Sequence, residues 1–208
     1  MSAGTTAERA RALLGRSFID ADAIARCFGY RWSAADRDDL RQVALGESVL
    51  DACRETHILF PQPPLSLVDL RGGPAASLLG GGRRAWYEAM LFAREKSEPR
   101  WCLLRRGIVP GSAYRTYAEQ QALLQDEEVP RACEVVLGTL AFYLETGVRL
   151  FDHGVLARCR DTVERYGNVQ DGGVNVGRFE REGLSVETLW LDYRLHHLGV
   201  AATRKLPA

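Results

Sequence analysis

The segment that most constrains this chain is its middle, Arg94-Glu-Lys-Ser-Glu-Pro-Arg-Trp-Cys-Leu-Leu-Arg-Arg-Gly-Ile-Val-Pro110. A charged, Pro-containing stretch runs directly into the apolar run Trp101-Cys-Leu-Leu104, and Pro110-Gly111 marks a turn. A strand with apolar residues on both faces must be covered on both faces, which places it centrally in a sheet. Thr116-Tyr-Ala-Glu119 then reads as a capping box that opens a helix to about Gln125.

Pro130 fits the first turn of a longer helix that ends near Gly147. Cys133, Val136, Leu137, Leu140 and Leu144 recur on it at helical spacing, so it is expected to pack on the sheet. Trp101, Leu103, Val136, Leu140 and Trp190 are expected to share one core. Beyond it the pattern turns to strands: 155–159, 174–179 and 184–190, with Leu195 to Thr203 closing an antiparallel meander.

The first third reads as helices. Ala7–Leu14, Asp20–Cys27, a capped helix from Ser33 to about Leu45, and Ser48–Glu55 make a helical unit. Ile58-Leu-Phe60 is a short strand, Leu65–Leu70 resumes an extended pattern, and Trp86–Arg94 reads as a helix. Gly72-Gly-Pro74 and Gly80-Gly-Gly82 suggest a connection. The expected fold class is therefore α+β: a helical N-terminal unit at 1–56, an extended Pro/Gly-rich connection at 57–82, and an α+β domain at 83–208. Its sheet is antiparallel-rich and packed by the helix at about 130–147.

Charge removes some function classes. Lys plus Arg and Asp plus Glu both number 27, so the formal net charge is zero. A sequence-independent nucleic-acid binder depends on a cationic surplus, so nucleic acid is not the expected partner. No apolar run approaches the roughly 20 residues of a membrane span, and no signal-peptide pattern opens the chain. The five cysteines (27, 53, 102, 133 and 159) are odd in number and far apart. They are expected to be free thiols in a cytoplasmic protein, not a disulfide framework or zinc site.

No motif fixes a chemistry. His196-His197 are neighbours on an expected strand and point to opposite faces, so no metal site is expected there or at His57 and His153. Cys159 lies six residues after His153 but across a turn, and Cys102 sits in an apolar strand where burial silences a thiol. Gly80-Gly-Gly82 followed by Arg83-Arg84 is a loose phosphate-loop candidate with a plainer reading as a linker. Glu127-Glu128 reads as acidic residues favouring a helix start. Trp86, Tyr87, Trp101, Tyr114, Tyr117 and Trp190 read as core aromatics. The one candidate site is an anion-binding cluster of Arg105, Arg115, Arg204 and Lys205 at a sheet edge, because guanidinium groups bind phosphate or carboxylate in a bidentate manner.

Several short runs carry a resemblance. Glu95-Lys96, Pro99-x-Trp101-x-Leu-x-Arg105, Val109-Pro110-x-Ser112, Thr116 and Glu119-Gln120 are the first set. Tyr143-Leu144-x-Thr146-Gly147-x-x-Leu150-Phe151, Tyr193-Arg194, Gly199-Val-Ala201 and Arg204-Lys205 are the second. Over residues 86–206 the chain resembles a family of uncharacterised bacterial proteins. The resemblance implies a bacterial, cytoplasmic protein and assigns no cofactor and no catalytic residue. The leading expectation is a non-enzymatic binding or interaction module whose partner is a protein or a small-molecule anion. The alternative is an enzyme acting on a phosphorylated or carboxylated small molecule through the Arg-rich site.

Overall fold

The computed structural model describes residues 4–82, 85–163 and 172–205. Arg83 and Arg84 lie outside these, as do residues 167–171 of the 167–173 stretch, which reads from its glycines as a loop. The fold is α+β, as the alternation of patterns requires.

The N-terminal third holds β1 (Thr5–Thr6), α1 (Ala7–Leu14), α2 (Ala21–Phe28), α3 (Ala34–Asp39), β2 (Gln42–Val43) and α4 (Glu47–Cys53). Thr6, Asp20 and Ser33 each accept a backbone N–H of the first turn, at Arg9, Ala23 and Asp36. The capping box at Ser33 is present, but α3 stops at Asp39 because Gln42–Val43 leaves to pair with β1.

The middle holds β3 (His57–Gln62), α5 (Leu67–Gly72), α6 (Leu91–Arg94), β4 (Arg100–Arg105), α7 (Tyr117–Gln121) and β5 (Glu127–Glu128). The expected extended Leu65–Leu70 turns helical from Leu67, with Ser66 as the N-cap. Ser66 accepts from Asp69 N–H while the Asp69 carboxylate accepts from Ser66 N–H, a reciprocal cap that the sequence carries in plain view. The stretch read as a Pro/Gly connection is thus occupied by β3, α5 and a 3₁₀ turn at Ala76–Leu78. Trp86–Ala89 is a 3₁₀ turn separated from α6, not one helix.

The last part holds α8 (Ala132–Thr146), β6 (Leu156–Val163), β7 (Gly172–Glu180), β8 (Gly183–Trp190), β9 (Leu198–Val200) and β10 (Thr203–Arg204). Helix α8 is buried at every residue from Ala132 to Phe142 and ends on Gly147, whose φ of 73° suits glycine. A helix apolar all round needs cover all round. It gets this from two four-stranded sheets, β3-β4-β10-β5 and β8-β7-β6-β9, with α2 and α5 packed against it. The expected single antiparallel meander is therefore two sheets. Strand β9 runs parallel to β6, and the chain then crosses to place β10 between β4 and β5.

Strand alternation divides the core. Cys102 and Leu104 join α8 and the main cluster, whereas Trp101 and Leu103 face the other way, against Ala10, Leu14, Leu50 and Cys53 of α1 and α4. Trp190 is half-buried on β8. The expectation of one core for Trp101, Leu103, Val136, Leu140 and Trp190 fails because neighbouring strand residues point to opposite faces. The main cluster also takes Ile24 and Phe28, so α2 shares the core of α8.

Gly138 marks the closest approach of α8 to the sheet. A Cβ there would lie 2.5 Å from Phe60 Cε1 and 2.9 Å from Leu104 Cδ2. Gly138→Ala should therefore destabilise the protein by about 1–3 kcal/mol despite alanine's better helix propensity. A chemical denaturation midpoint equal to or above wild type would show that the helix is free to move away.

Candidate functional site

The four candidate cations fall in two places. Arg105 ends β4 and Arg204 lies on β10, opposite Glu127 of β5. Arg105 donates from Nε (3.2 Å) and Nη2 (3.0 Å) to Glu127 Oε1. Arg204 donates to Asp126 at 3.2 Å, and Lys205 Nζ donates to the Gln125 carbonyl at 3.1 Å. Arg115 sits on the loop before α7 and donates to the Gly111 carbonyl at 2.8 Å. The structure thus gathers Arg105 and Arg204 around the acidic run 126–127 and gives Arg115 to a different loop. Glu127 neutralises this sheet edge, and it begins no helix.

Glu127 also accepts from His57 Nε2 at 2.9 Å, and His57 is only 2% exposed. Burial alone would raise the Glu127 carboxyl. The His57 hydrogen bond and the Arg105 charge outweigh it, and the carboxyl titrates below its usual range. A carboxyl with a depressed folded value contributes stability above its unfolded value, near 4.3 as a rough reference, and loses it as pH falls through the folded value. Glu127→Gln should therefore lower Tm at neutral pH and flatten the fall of Tm between about pH 5 and pH 3. Parallel acid limbs for the two proteins in melts across that range would contradict this.

The second buried charge is handled differently. Arg158 is fully buried on β6, and among the described residues no carboxylate hydrogen-bonds it. Its neighbours Ala157 and Cys159 face α8, so strand alternation turns Arg158 to the opposite face of the sheet, beneath α7. There Nη1 donates to Gln120 Oε1 and to the Arg115 carbonyl, both at 3.0 Å. Nη2 donates to the carbonyls of Trp190 (3.1 Å) and Tyr193 (2.7 Å). Burial pulls this guanidinium down to about 10, so it still carries its charge at neutral pH.

Gln120 extends the network. Its Nε2 donates to the carbonyls of Ser112 (2.8 Å) and Leu198 (3.2 Å), and Ser112 Oγ accepts from Val200 N–H at 3.2 Å. Tyr114 N–H donates to Leu195 O at 3.0 Å and Tyr117 N–H to Leu191 O at 2.8 Å. Loops 109–117 and 190–198 are thereby laced to each other and to one cation. Gly199 permits the contact, because a Cβ there would lie 2.6 Å from both Ile108 and Ser112 Oγ.

These two loops carry exposed aromatic groups. Tyr114 is 54% exposed and stacks on exposed His196 with ring centroids 4.5 Å apart and planes 8° from parallel. Trp190 and Tyr193 make an edge contact at 4.7 Å, and Tyr193 is 37% exposed. Tyr114 holds a φ of 58°, a left-handed conformation that a bulky residue seldom adopts without surrounding constraint. Sequence reasoning assigned Tyr114 and Trp190 to the core. The positive φ and the loop position of Tyr114 have no sequence signal beyond the preceding Pro110-Gly111 turn.

Of the remaining candidates, His197 lies 3.4 Å from Arg178 Nη2 and His153 pairs with Asp152. Among the described residues no three His, Cys, Asp or Glu side chains are placed to hold a metal ion. All five cysteines are free, and burial pushes Cys27 and Cys133 up to about 11 and Cys102 and Cys159 well above their usual value. No helix among the described residues is long and apolar enough to cross a membrane. No family model, curated protein or solved structure matches the chain.

Arg158 is the keystone of this face, and lysine cannot reproduce its planar fork. Arg158→Lys should cost about 2–4 kcal/mol, since charge-assisted bonds are lost and buried carbonyls are left unpaired. The check is a denaturant melt, in which a neutral result would remove Arg158 as the organiser of the two loops.

Proposed function

We propose that this chain is an interaction module that docks a protein partner on the aromatic face formed by Tyr114, His196, Trp190 and Tyr193. The observation that carries this reading is the buried Arg158 guanidinium, whose four acceptors include three backbone carbonyls of the loops that bear those rings. Exposed aromatic rings on rigid loops lose little side-chain entropy on binding, and Tyr, Trp and Arg dominate the energetics of protein interfaces. The strained backbone at Tyr114 supports the same reading, because strain of this kind persists where the surroundings over-determine it. Arg115, from the expected cation set, belongs to this face.

The reading is preferred to anion capture at Arg105 and Arg204. An incoming oxyanion there would compete with Glu127 and Asp126, which already hold both guanidinium groups. Five free thiols, four of them buried, suit the reducing cytoplasm expected from sequence.

A peptide library displayed on phage can be selected on the wild-type protein and counter-selected on Tyr114→Ser/His196→Ser. Both side chains are exposed, so the double variant should melt within about 0.5 kcal/mol of wild type. Enriched sequences should bind wild type at least tenfold more tightly than the variant. Selection that never yields a clone sensitive to the two substitutions would reject the aromatic face as the docking surface.

A further inference from the structure

The turn between α4 and β3 carries an arrangement that the docking reading does not use. Thr56 is exposed, and its Oγ1 lies 2.8 Å from His57 Nδ1. His57 Nε2 lies 2.9 Å from Glu127 Oε1, and Arg105 holds that same oxygen through two donors. The chain of contacts thus runs from a surface hydroxyl, through a buried imidazole, to a buried carboxylate.

Proton positions follow from the donors. An ionised carboxylate only accepts, so Nε2 must carry the hydrogen directed at Glu127. In the neutral imidazole Nδ1 is then a lone pair, and it can only accept from the Thr56 hydroxyl. The competing acceptor of that hydroxyl, the Cys53 carbonyl, is farther away at 3.4 Å. A hydroxyl bonded to a base, with the base oriented by a third group, is the signature of an activated nucleophile.

Arg106 holds the turn that carries Thr56. Arg106 N–H donates to the Thr56 carbonyl at 2.8 Å, and its Nη1 donates to the Glu55 carbonyl at 3.3 Å. The Nε of the same guanidinium is buried without an acceptor among the described residues. Its Nη2 donates to Ser17 Oγ, so Arg106 fixes the backbone of the turn that presents the hydroxyl.

We propose that Thr56 is a nucleophile that accepts an acyl group from activated carboxylic esters, with His57 as its general base and Glu127 as a positioning residue. In this step the Thr56 Oγ–carbonyl carbon bond forms and the bond from that carbon to the ester's leaving oxygen breaks. The hydroxyl proton passes to His57 Nδ1, which then releases it to the leaving oxygen or to solvent. The product is an acyl ester on Thr56. This inference shares no residue with the aromatic face, so Tyr114→Ser/His196→Ser should react as wild type does and either reading can fail alone.

The test is incubation of the full chain with p-nitrophenyl acetate, read as nitrophenolate release and as acetylated peptides by mass spectrometry. Acetyl should appear on Thr56, persist in Thr56→Ser, and be absent from that peptide in Thr56→Val. Thr56 is exposed, so both variants should fold. His57→Gln should slow acetylation at Thr56 by at least about a hundredfold, the usual scale of general-base catalysis. If His57→Gln does not fold, the wild-type labelling rate in deuterium oxide decides. General-base removal of the hydroxyl proton should make Thr56 labelling slower in deuterium oxide than in water. No acetyl on Thr56 in folded wild type, an unchanged rate in folded His57→Gln, or equal rates in water and deuterium oxide would each overturn the proposal.

Discussion

The structure depends on the burial of α8 on all sides. A helix with an apolar stripe needs one sheet, but a helix buried from Ala132 to Phe142 needs cover in every direction. The chain meets this with two separate sheets and two further helices. The closest approach is set by one missing side chain, at Gly138, against Phe60 of β3 and Leu104 of β4. Because each sheet spends one face on α8, its other face requires a second cover. The N-terminal helices α1 and α4 serve the β3-β4 sheet, and α7 with its flanking loops serves the β6-β9 edge.

Those outer covers are where the chain has chemistry to spare. Beneath α7 the apolar cluster is small, made of Val109, Tyr117, Val129, Val200 and Ala202. A cluster of this size leaves room for a polar anchor, and Arg158 fills it with hydrogen bonds in place of apolar contacts. A buried cation without a carboxylate is costly unless its donors are met. Here four acceptors meet Nη1 and Nη2, three of them loop carbonyls, while Nε finds no acceptor among the described residues. The cost of burying the charge is thereby coupled to the order of the loops, and disorder in either loop would strand the guanidinium. Rigid, exposed rings on those loops follow from that coupling.

Much of this was legible in the sequence where a single local rule governs. Capping at Ser33 and Thr116 appears where Ser/Thr-x-x-Asp/Glu stands, and α8 ends on its glycine. Strand β4 is buried on both faces, as its continuous apolar run requires. Helix α5 obeyed the same capping rule, and Leu67 and Leu70 stand at helical spacing, but the chain after Pro61-Gln-Pro-Pro64 read as extended. What the sequence hides is which sheet a short strand joins. Val200 and Thr203 are three residues apart, yet β9 pairs in parallel with β6 and β10 in antiparallel with β4 and β5. Nothing local distinguishes them. The partner of Arg105 was hidden for the same reason, since Glu127 reaches it only because β10 lies between their strands.

The two buried charged networks show how one chain with zero net charge can still place charge deliberately. Glu127 is surrounded by donors, His57 and Arg105, and is held ionised. Among the described residues Arg158 is hydrogen-bonded to neutral acceptors alone, and Asp192 supports its charge only through space. An ion pair saturates itself and fixes a tautomer nearby, which is what a proton relay at Thr56 needs. An unpaired cation instead draws in whatever carbonyls the backbone offers, which is what ordering a loop needs. The difference rests on strand register. Arg105 ends its strand directly opposite His57, within reach of an acidic β5, while Arg158 sits opposite Asn175 and Val200, neither of which carries a charge.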